Sequence, residues 1–318
     1  MTFNAYPIHF APLQGYTDAV YRQAHARFFG GVEYYYTPFA RVEHGEVRPK
    51  DLRDIEPENN RCLKLIPQLI APNPEKLIQI MDAFLAKGYQ QVDINLGCPF
   101  PMLAKRHNGS GILPYPEEVK TLLSTAIETY PTVRFSVKMR LGWERNEEAL
   151  ALLPFLNELP LSHLILHPRI GKQQYKGEVD LEAFETFYTA CRHPLFYNGD
   201  VLTVEDIHRI IERFPKLAGI MIGRGLLANP ALALEFQQGK TLSKAEMAER
   251  IESLHQDVFS HYGNRLQGGD LQLLGKMKGF WEYLLPYADR KAKKAIHKAN
   301  RLDTYQTAVQ TLIRALKR

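Results

Sequence analysis

Short apolar runs rich in β-branched and aromatic residues recur along the first 230 residues, and segments with apolar positions every three to four residues lie between them. Eight such runs stand at 8–11, 34–39, 65–70, 92–95, 135–139, 163–167, 195–198 and 219–222. Helical spacing occupies 18–28, 74–87, 116–128, 147–156, 181–191 and 203–214. Asp18 and Thr203 stand at helix openings as capping residues, and Pro74 and Pro116 suit first helical positions. Eight strand–helix units predict an α/β fold, a (β/α)8 TIM barrel over residues 1–240; an open doubly wound sheet is the alternative that counting leaves. After Pro230 the strand signal stops. Amphipathic segments at 243–261, 270–283 and 289–316 predict a smaller C-terminal helical domain over 241–318.

In a barrel the reactive groups gather where the strands end. Polar residues fall at those ends here: Pro12 and Gln14 after the first run, Gln68 in the third, Asn95 and Cys98 after the fourth, Lys138 and Arg140 on the fifth. His167 and Arg169 close the sixth, Asn198 and Asp200 the seventh, and Gly223 and Arg224 the eighth. An apolar core has no use for so many polar groups, so their placement marks a functional mouth.

Composition adds two constraints. Hydrophobic residues at 45% and charged residues at 24% are ordinary globular values. No stretch approaches the roughly 18 apolar residues of a membrane span, and the start lacks a signal-peptide pattern, so a cytoplasmic location is expected. The net charge of +5 is uneven: residues 241–318 carry 14 Lys or Arg against 8 Asp or Glu, which leaves the first 240 near −1. The densest cationic run is 290–294, followed by Lys298 and Arg301. A solvated helix face is the ordinary reading of such a run, and an acidic polymer as partner is the sharper one.

Cys62, Cys98 and Cys191 are odd in number and widely spaced, which argues against a disulfide framework or a CxxC metal site. His167 has no second ligand at metal spacing, so no metal is expected. Lys138 and Arg140 share a strand face because alternate residues do. Two cations inside a barrel need an anion, supplied by a reduced flavin edge or a polyanion, unless one pairs with a carboxylate such as Asp93. The segment 219–225 runs from an apolar strand into a Gly-Arg-Gly turn, suited to a phosphate or to a plain turn. Cys98, in a Gly-Cys-Pro turn at a strand end, is either a small inert residue or an acid that gives a proton to one carbon of a C=C bond. No GxGxxG opens a helix after a strand, so a nicotinamide must bind only transiently.

The order of these segments resembles the tRNA-dihydrouridine synthases. The resemblance rests on 11–18 (APLQGYTD), 67–69 (PQL), 93–99 (DINLGCP), 137–142 (VKMRLG), 198–200 (NGD) and 221–225 (MIGRG), and continues into 276–284 (KMKGFWEYL). It implies FMN held by Pro12, Leu13, Gln14, Gln68, Lys138, His167, Asn198, Gly199, Asp200, Gly223 and Arg224, with NADPH or NADH as reductant. It implies Cys98 as proton donor to C5 of an extruded uracil in tRNA, commonly in the D-loop. Asn95, Lys105, Arg140, Lys276 and Lys278 match positions expected to meet the base or its phosphates, and a monomer is expected. Two departures stand out: Pro168 replaces the usual glycine of His-Gly-Arg and removes a backbone donor there, and 108–113 is less alanine-rich than the family pattern. Competing readings are an FMN barrel acting on a free pyrimidine or small enone, and a flavin-free RNA-binding barrel. The cationic tail opposes the first, and the intact set Gln68, Lys138, Asn198 and Arg224 opposes the second.

Overall fold

The computed structural model describes residues 6–61 and 63–317, so Cys62 lies outside the described residues. Nine strands form one parallel sheet: β1 (Ile8–Phe10), β2 (Tyr34–Tyr36), β3 (Leu65–Ile66), β4 (Gln68–Leu69), β5 (Gln91–Leu96), β6 (Arg134–Gly142), β7 (His163–Ile170), β8 (Leu195–Tyr197) and β9 (Gly219–Ile222). Their order is β3-β2-β1-β9-β8-β7-β6-β5-β4. The two ends of that order are consecutive pieces of the run expected at 65–70, split at Pro67, so the sheet closes on itself. Proline cannot donate to a ladder. Its carbonyl still accepts from Asp93 N at 3.0 Å, and the chain changes neighbour at this residue, from β2 to β5.

Helices α1 (Ala19–Phe28), α2 (Pro74–Leu85), α3 (Pro116–Thr129), α4 (Glu147–Glu158), α5 (Leu181–Ala190) and α6 (Val204–Arg213) lie between the strands. Asp18 accepts from Tyr21 N, and Thr203 forms a capping box with Asp206, as their positions before apolar-periodic segments predict. Between β2 and β3, where the sequence shows no helical period, a hairpin (Val42–Glu43 with Glu46–Val47) and a short helix (Pro49–Asp54) make the connection.

Strands β6 and β7 run three residues past their expected ends. Arg140 stands opposite His167 but Gly142 opposite Ile170, so β7 spends one extra residue in a bulge. Pro168 sits in that bulge, where no ladder donor is needed, and its carbonyl accepts from Asp180 N at 2.8 Å. The departure expected to disturb a loop is therefore absorbed by an irregular strand. Inside the barrel, Tyr36, Ile66, Ile165, Phe196 and Met221 fill one buried cluster with Ala11. Each such side chain contributes on the order of 1.5–3 kcal/mol by leaving water.

Two short helices, α7 (Arg224–Ala228) and α8 (Leu232–Gln238), complete the eighth unit. The chain then turns at left-handed Gly239, and Glu235 accepts from Leu242 N at 2.9 Å before α9 (Lys244–Arg265) begins. Helices α10 (Gly269–Tyr283), α11 (Arg290–Lys298) and α12 (Leu302–Leu316) follow. The single segment expected at 289–316 is two helices, because Arg301 is extended (φ −133°) and redirects the chain. The turn lets both apolar faces point inward: Ala292 and Ile296 are buried, and Tyr305, fully buried, donates to His255 Nε2 at 2.7 Å and accepts from Trp281 Nε1 at 2.9 Å. Bundle and barrel are fastened where α1 begins. Tyr262 donates to the Asp18 carboxylate at 2.8 Å, Lys276 pairs with it at 2.9 Å, and Tyr16 donates to Glu282 at 2.7 Å.

Candidate active site

The carboxyl ends of the strands surround a cavity of about 250 Å³. Every residue expected to hold a cofactor lines it, from Pro12, Leu13 and Gln14 round to Gly223 and Arg224, and Asn95, Cys98 and Arg140 join them. Lys105 is exposed on the loop that follows Cys98, and Lys276 and Lys278 lie on α10, so these three stand outside the wall. Tyr175 and Tyr283 also line the cavity, although sequence reasoning missed them. Tyr175 belongs to no regular element, and Tyr283 comes from the bundle; only aromatic character in a glycine-flanked loop could have hinted at the first.

Cys98 follows β5 on a loop whose backbone is held at several points. Its amide donates to Asn95 Oδ1 at 2.8 Å, and its carbonyl accepts from Ser110 N at 3.1 Å and Ser110 Oγ at 2.9 Å. Gly109, at φ +60°, packs so closely that a Cβ there would come within 2.6 Å of the Cys98 carbonyl oxygen. Burial pushes the thiol's pKa up, although the Phe100 amide and the charges of Arg140, Lys138 and Arg41 pull it down. The thiol is thus protonated at neutral pH, which suits an acid and not a resting nucleophile.

Lys138 and Arg140 do share a face, and their environments differ. Arg140 is buried, donating to Gly97 O and Ile170 O at 3.0 Å each, with its guanidinium 5.4 Å from the Tyr175 ring centre. Lys138 is half-buried against the cavity and, among the described residues, makes no hydrogen bond or ion pair. Burial and then Arg140 lower its pKa to about 8. Asp93 does not pair with it; that carboxylate accepts from Gln68 Nε2 and Ser136 Oγ, both at 2.7 Å. Lys138 is left as a cation in need of an anion.

On the opposite wall, Asp200 joins two arginines. Its carboxylate accepts from Arg169 through both guanidinium nitrogens and from Arg224 at 2.7 Å. Burial raises the Asp200 pKa, but the arginines outweigh it and hold the group below its ordinary range. Asp200, which also lines the cavity as expected, thus orients Arg224 and fixes Arg169. Arg169 NH1 lies 3.2 Å from His167 Nε2. A guanidinium can only donate, so Nε2 accepts and the imidazole is neutral with its proton on Nδ1. Burial, then the nearby Arg140 and Lys138, hold His167 well below its ordinary pKa. Asn198 donates to Met221 O at 2.8 Å, so its oxygen is turned away from that contact.

The expected RNA-facing cations divide on inspection. Lys276 is committed to Asp18 and also reaches Gly15 O at 3.3 Å, so it fastens bundle to barrel. Within the 290–294 run, Lys293 turns inward and donates to Leu284 O at 2.8 Å. Arg290, Lys291, Lys294 and Lys298 remain exposed, within about 100° of arc on α11 at 100° per residue. Lys278, on α10, is half-buried and lies near His297 of α11. Among the described residues no three His, Cys, Asp or Glu side chains gather as a metal site, and no helix is long and apolar enough to cross a membrane.

Known proteins resemble this chain in sequence and in fold. The family described as "Dihydrouridine synthase (Dus)" matches residues 9–312. The "tRNA-dihydrouridine(16) synthase" of Aquipseudomonas alcaligenes is 29% identical over 233 residues, covering 71% of this chain and 73% of that protein. The "tRNA-dihydrouridine synthase B" of Vibrio cholerae is 24% identical over 274 residues, covering 80% and 82%. Among solved structures, the old yellow enzyme from Trypanosoma cruzi shares the barrel with a TM-score of 0.54 at 12% identity, over 74% of this chain and 89% of that one. Morphinone reductase in complex with tetrahydroNAD gives 0.53 at 13% identity, over 74% and 87%. At such identities the two structures speak for the fold alone. Because the family match runs through barrel and bundle alike, the chain belongs to the dihydrouridine synthase family.

Proposed function

We propose that this chain reduces the C5=C6 bond of selected uridines in the D-loop of tRNA to 5,6-dihydrouridine, using FMN as the flavin and NADPH or NADH as the reductant. The observation that carries the reading is the place of Cys98 on the wall of a cavity it shares with Lys138, Arg140 and Arg224, in a chain of this family. The residues present fit a flavin mononucleotide. Lys138 is, among the described residues, a cation without a partner, and a Cβ at Gly199 or Gly223 would meet Val179 at 3.0 Å or Leu13 at 3.3 Å, so a side chain at either cavity-lining position would press on its neighbours. Lys138 would face the anionic edge of the ring system, with Pro12, Leu13, Gln14, Gln68 and Asn198 around it. His167 and Arg224 would hold the phosphate, with Arg224 oriented by Asp200. When bound, the flavin supplies hydride chemistry.

The chain's own residues do the rest. Cys98 gives its proton to C5 of the uracil, and Asn95 and Arg140 hold the base beside it. A stacked base cannot reach a cavity closed by barrel walls, so the uridine must be extruded from the RNA. Arg290, Lys291, Lys294 and Lys298, with Lys278 and Lys105, follow the phosphates largely regardless of sequence. Residues 1–240 act as the catalytic domain and 241–318 as the RNA-holding domain, in a monomer working in the cytoplasm.

The experiment is mass-spectrometric mapping of tRNA from cells with and without this gene, following the gain of about 2 Da that hydride plus proton confers. Loss of the shift at one D-loop position identifies the target. No loss at any tRNA position rejects the reading.

A further inference from the structure

Behind the cavity lies a carboxylate that the chemistry above does not use. Asp93 is fully buried and does not line the cavity, yet it begins a chain of short hydrogen bonds that ends at the cysteine loop. Gln68 Nε2 donates to Asp93 Oδ2 at 2.7 Å, and Asn95 Nδ2 donates to Gln68 Oε1 at 2.7 Å. Asn95 Oδ1 then accepts from Gly97 N at 3.0 Å and Cys98 N at 2.8 Å.

Which way each amide faces is settled from both ends. The amides of Gly97 and Cys98 can only donate, so Asn95 must present its oxygen to them and its nitrogen to Gln68. Gln68 must answer with its oxygen, which turns its nitrogen toward Asp93. Burial raises the Asp93 pKa to about 6, against the pull of Ser136, Gln68 and Lys138, so above that pH it is an ionised carboxylate that can only accept and demands that same orientation. Ser136 donates to the other Asp93 oxygen at 2.7 Å and, being a hydroxyl, could reverse its role without disturbing the chain. The Gln68, Asp93 and Ser136 side chains are fully buried and Asn95 nearly so, so a reversed amide would bury two facing acceptors or two facing donors.

We propose that Asp93 is a positioning residue for Cys98, fixing the backbone of the cysteine loop through the one-way hydrogen-bond chain Asp93, Gln68, Asn95. The assignment rests on the reading of Cys98 as the proton donor, but the chain itself acts on the loop whatever the substrate is. It makes an unusual prediction: the positions of acid and amide in the chain are interchangeable only together. In Asn95→Asp, the new carboxylate still accepts from Gly97 and Cys98 but needs a donor from Gln68, which must flip and turn its oxygen on Asp93. In Asp93→Asn with Asn95→Asp, the amide introduced at position 93 can donate to the flipped Gln68 and accept from Ser136, and every group is again satisfied. Asp93→Asn alone keeps an oxygen toward Gln68 and gives its nitrogen to Ser136, so it is tolerated.

The test uses the FMN-bound enzyme and its three isosteric variants, D93N, N95D and D93N/N95D, and follows alkylation of the Cys98 peptide by iodoacetamide with mass spectrometry. The Cys191 peptide serves as internal reference. D93N should react within about twofold of the parent, N95D should differ by about fivefold or more, and the double variant should return to within about twofold, a non-additivity that only coupled groups produce. Should N95D fail to fold, recovery of folding in the double variant supports the chain, and its absence overturns it. N95D reacting at the parental rate, or a double variant no better than N95D, also overturns it. Alkylation needs no RNA, so a parent enzyme that forms no dihydrouridine would reject the proposed function while leaving this result standing.

Discussion

At Cys98 opposing influences act on one proton: enclosure holds it on sulfur, while the Phe100 amide and three cations pull it away. Enclosure wins, so an alanine there removes an acid without removing a charge. Cys98→Ala should bind FMN and tRNA as before and lose dihydrouridine formation by about 10²–10⁴-fold, read by single-turnover assay. Lys138 carries a pH dependence of its own. Its folded pKa of about 8 lies below its ordinary 10.5, so between those values the unfolded chain binds more protons and stability rises with pH. Anion binding has the opposite sign, because the cation is lost across that range. Affinity of the apoprotein for reduced FMN, whose ring edge is the anion Lys138 would face, should therefore fall as pH rises through about 8, and Lys138→Met should abolish that fall in an anaerobic binding titration. A neutral His167 titrates far below this window and adds nothing to it.

Elements matter through what they leave no room for. The loop after β5 is closed by Gly109, whose positive φ and contact with the Cys98 backbone exclude a side chain. Gly109→Ala should cost about 1–3 kcal/mol of stability, because an L residue there is strained in the left-handed region. It should also lower kcat more than KM, since it displaces the cysteine loop and not the RNA surface. Calorimetry and steady-state kinetics check the two halves. In α11 the separation of roles is by face: Lys293→Ala should lower the thermal midpoint, because it strips the carbonyl partners at the end of α10, while leaving RNA affinity nearly unchanged.

For the whole molecule, the consequence of a closed barrel with a bundle fastened beside its mouth is that a residue far along the chain, Tyr283, reaches the cavity. Tyr283 lines the cavity, Glu282 holds Tyr16, and α11 starts a few residues later. Reversing Arg290, Lys291, Lys294 and Lys298 to Glu should weaken tRNA binding and reduce the slope of log K against log salt by about 3, at roughly 0.7–0.9 per phosphate contact. An unchanged slope would place the RNA on another surface.

The alternation of apolar runs and helical periods was enough to locate the strands and the helices between them, because burial patterns are local and repeat every few residues. That the sheet closes instead of staying open was decided by pairing on both sides of Pro67. The cavity set was legible for a similar reason: Gln68, Cys98, Lys138, His167 and Arg224 each sit on, or just after, a strand that the pattern locates. The split at Pro67, the bulge at Pro168 and the break before α12 were not, since each depends on which neighbour a segment meets. The same holds for single side chains. Lys276 and Lys293 belong to segments expected to face RNA, and only packing shows the partners they also hold, Asp18 and the carbonyls of Leu284 and Leu285. Tyr175 and Tyr283 joined the cavity only through the fold, and Asp93 found Gln68 rather than Lys138. Sequence by itself determined which chemistry this chain carries. Tertiary structure decided which charges are spent on holding the protein together, because pairing energies depend on distances between residues that the chain order leaves far apart.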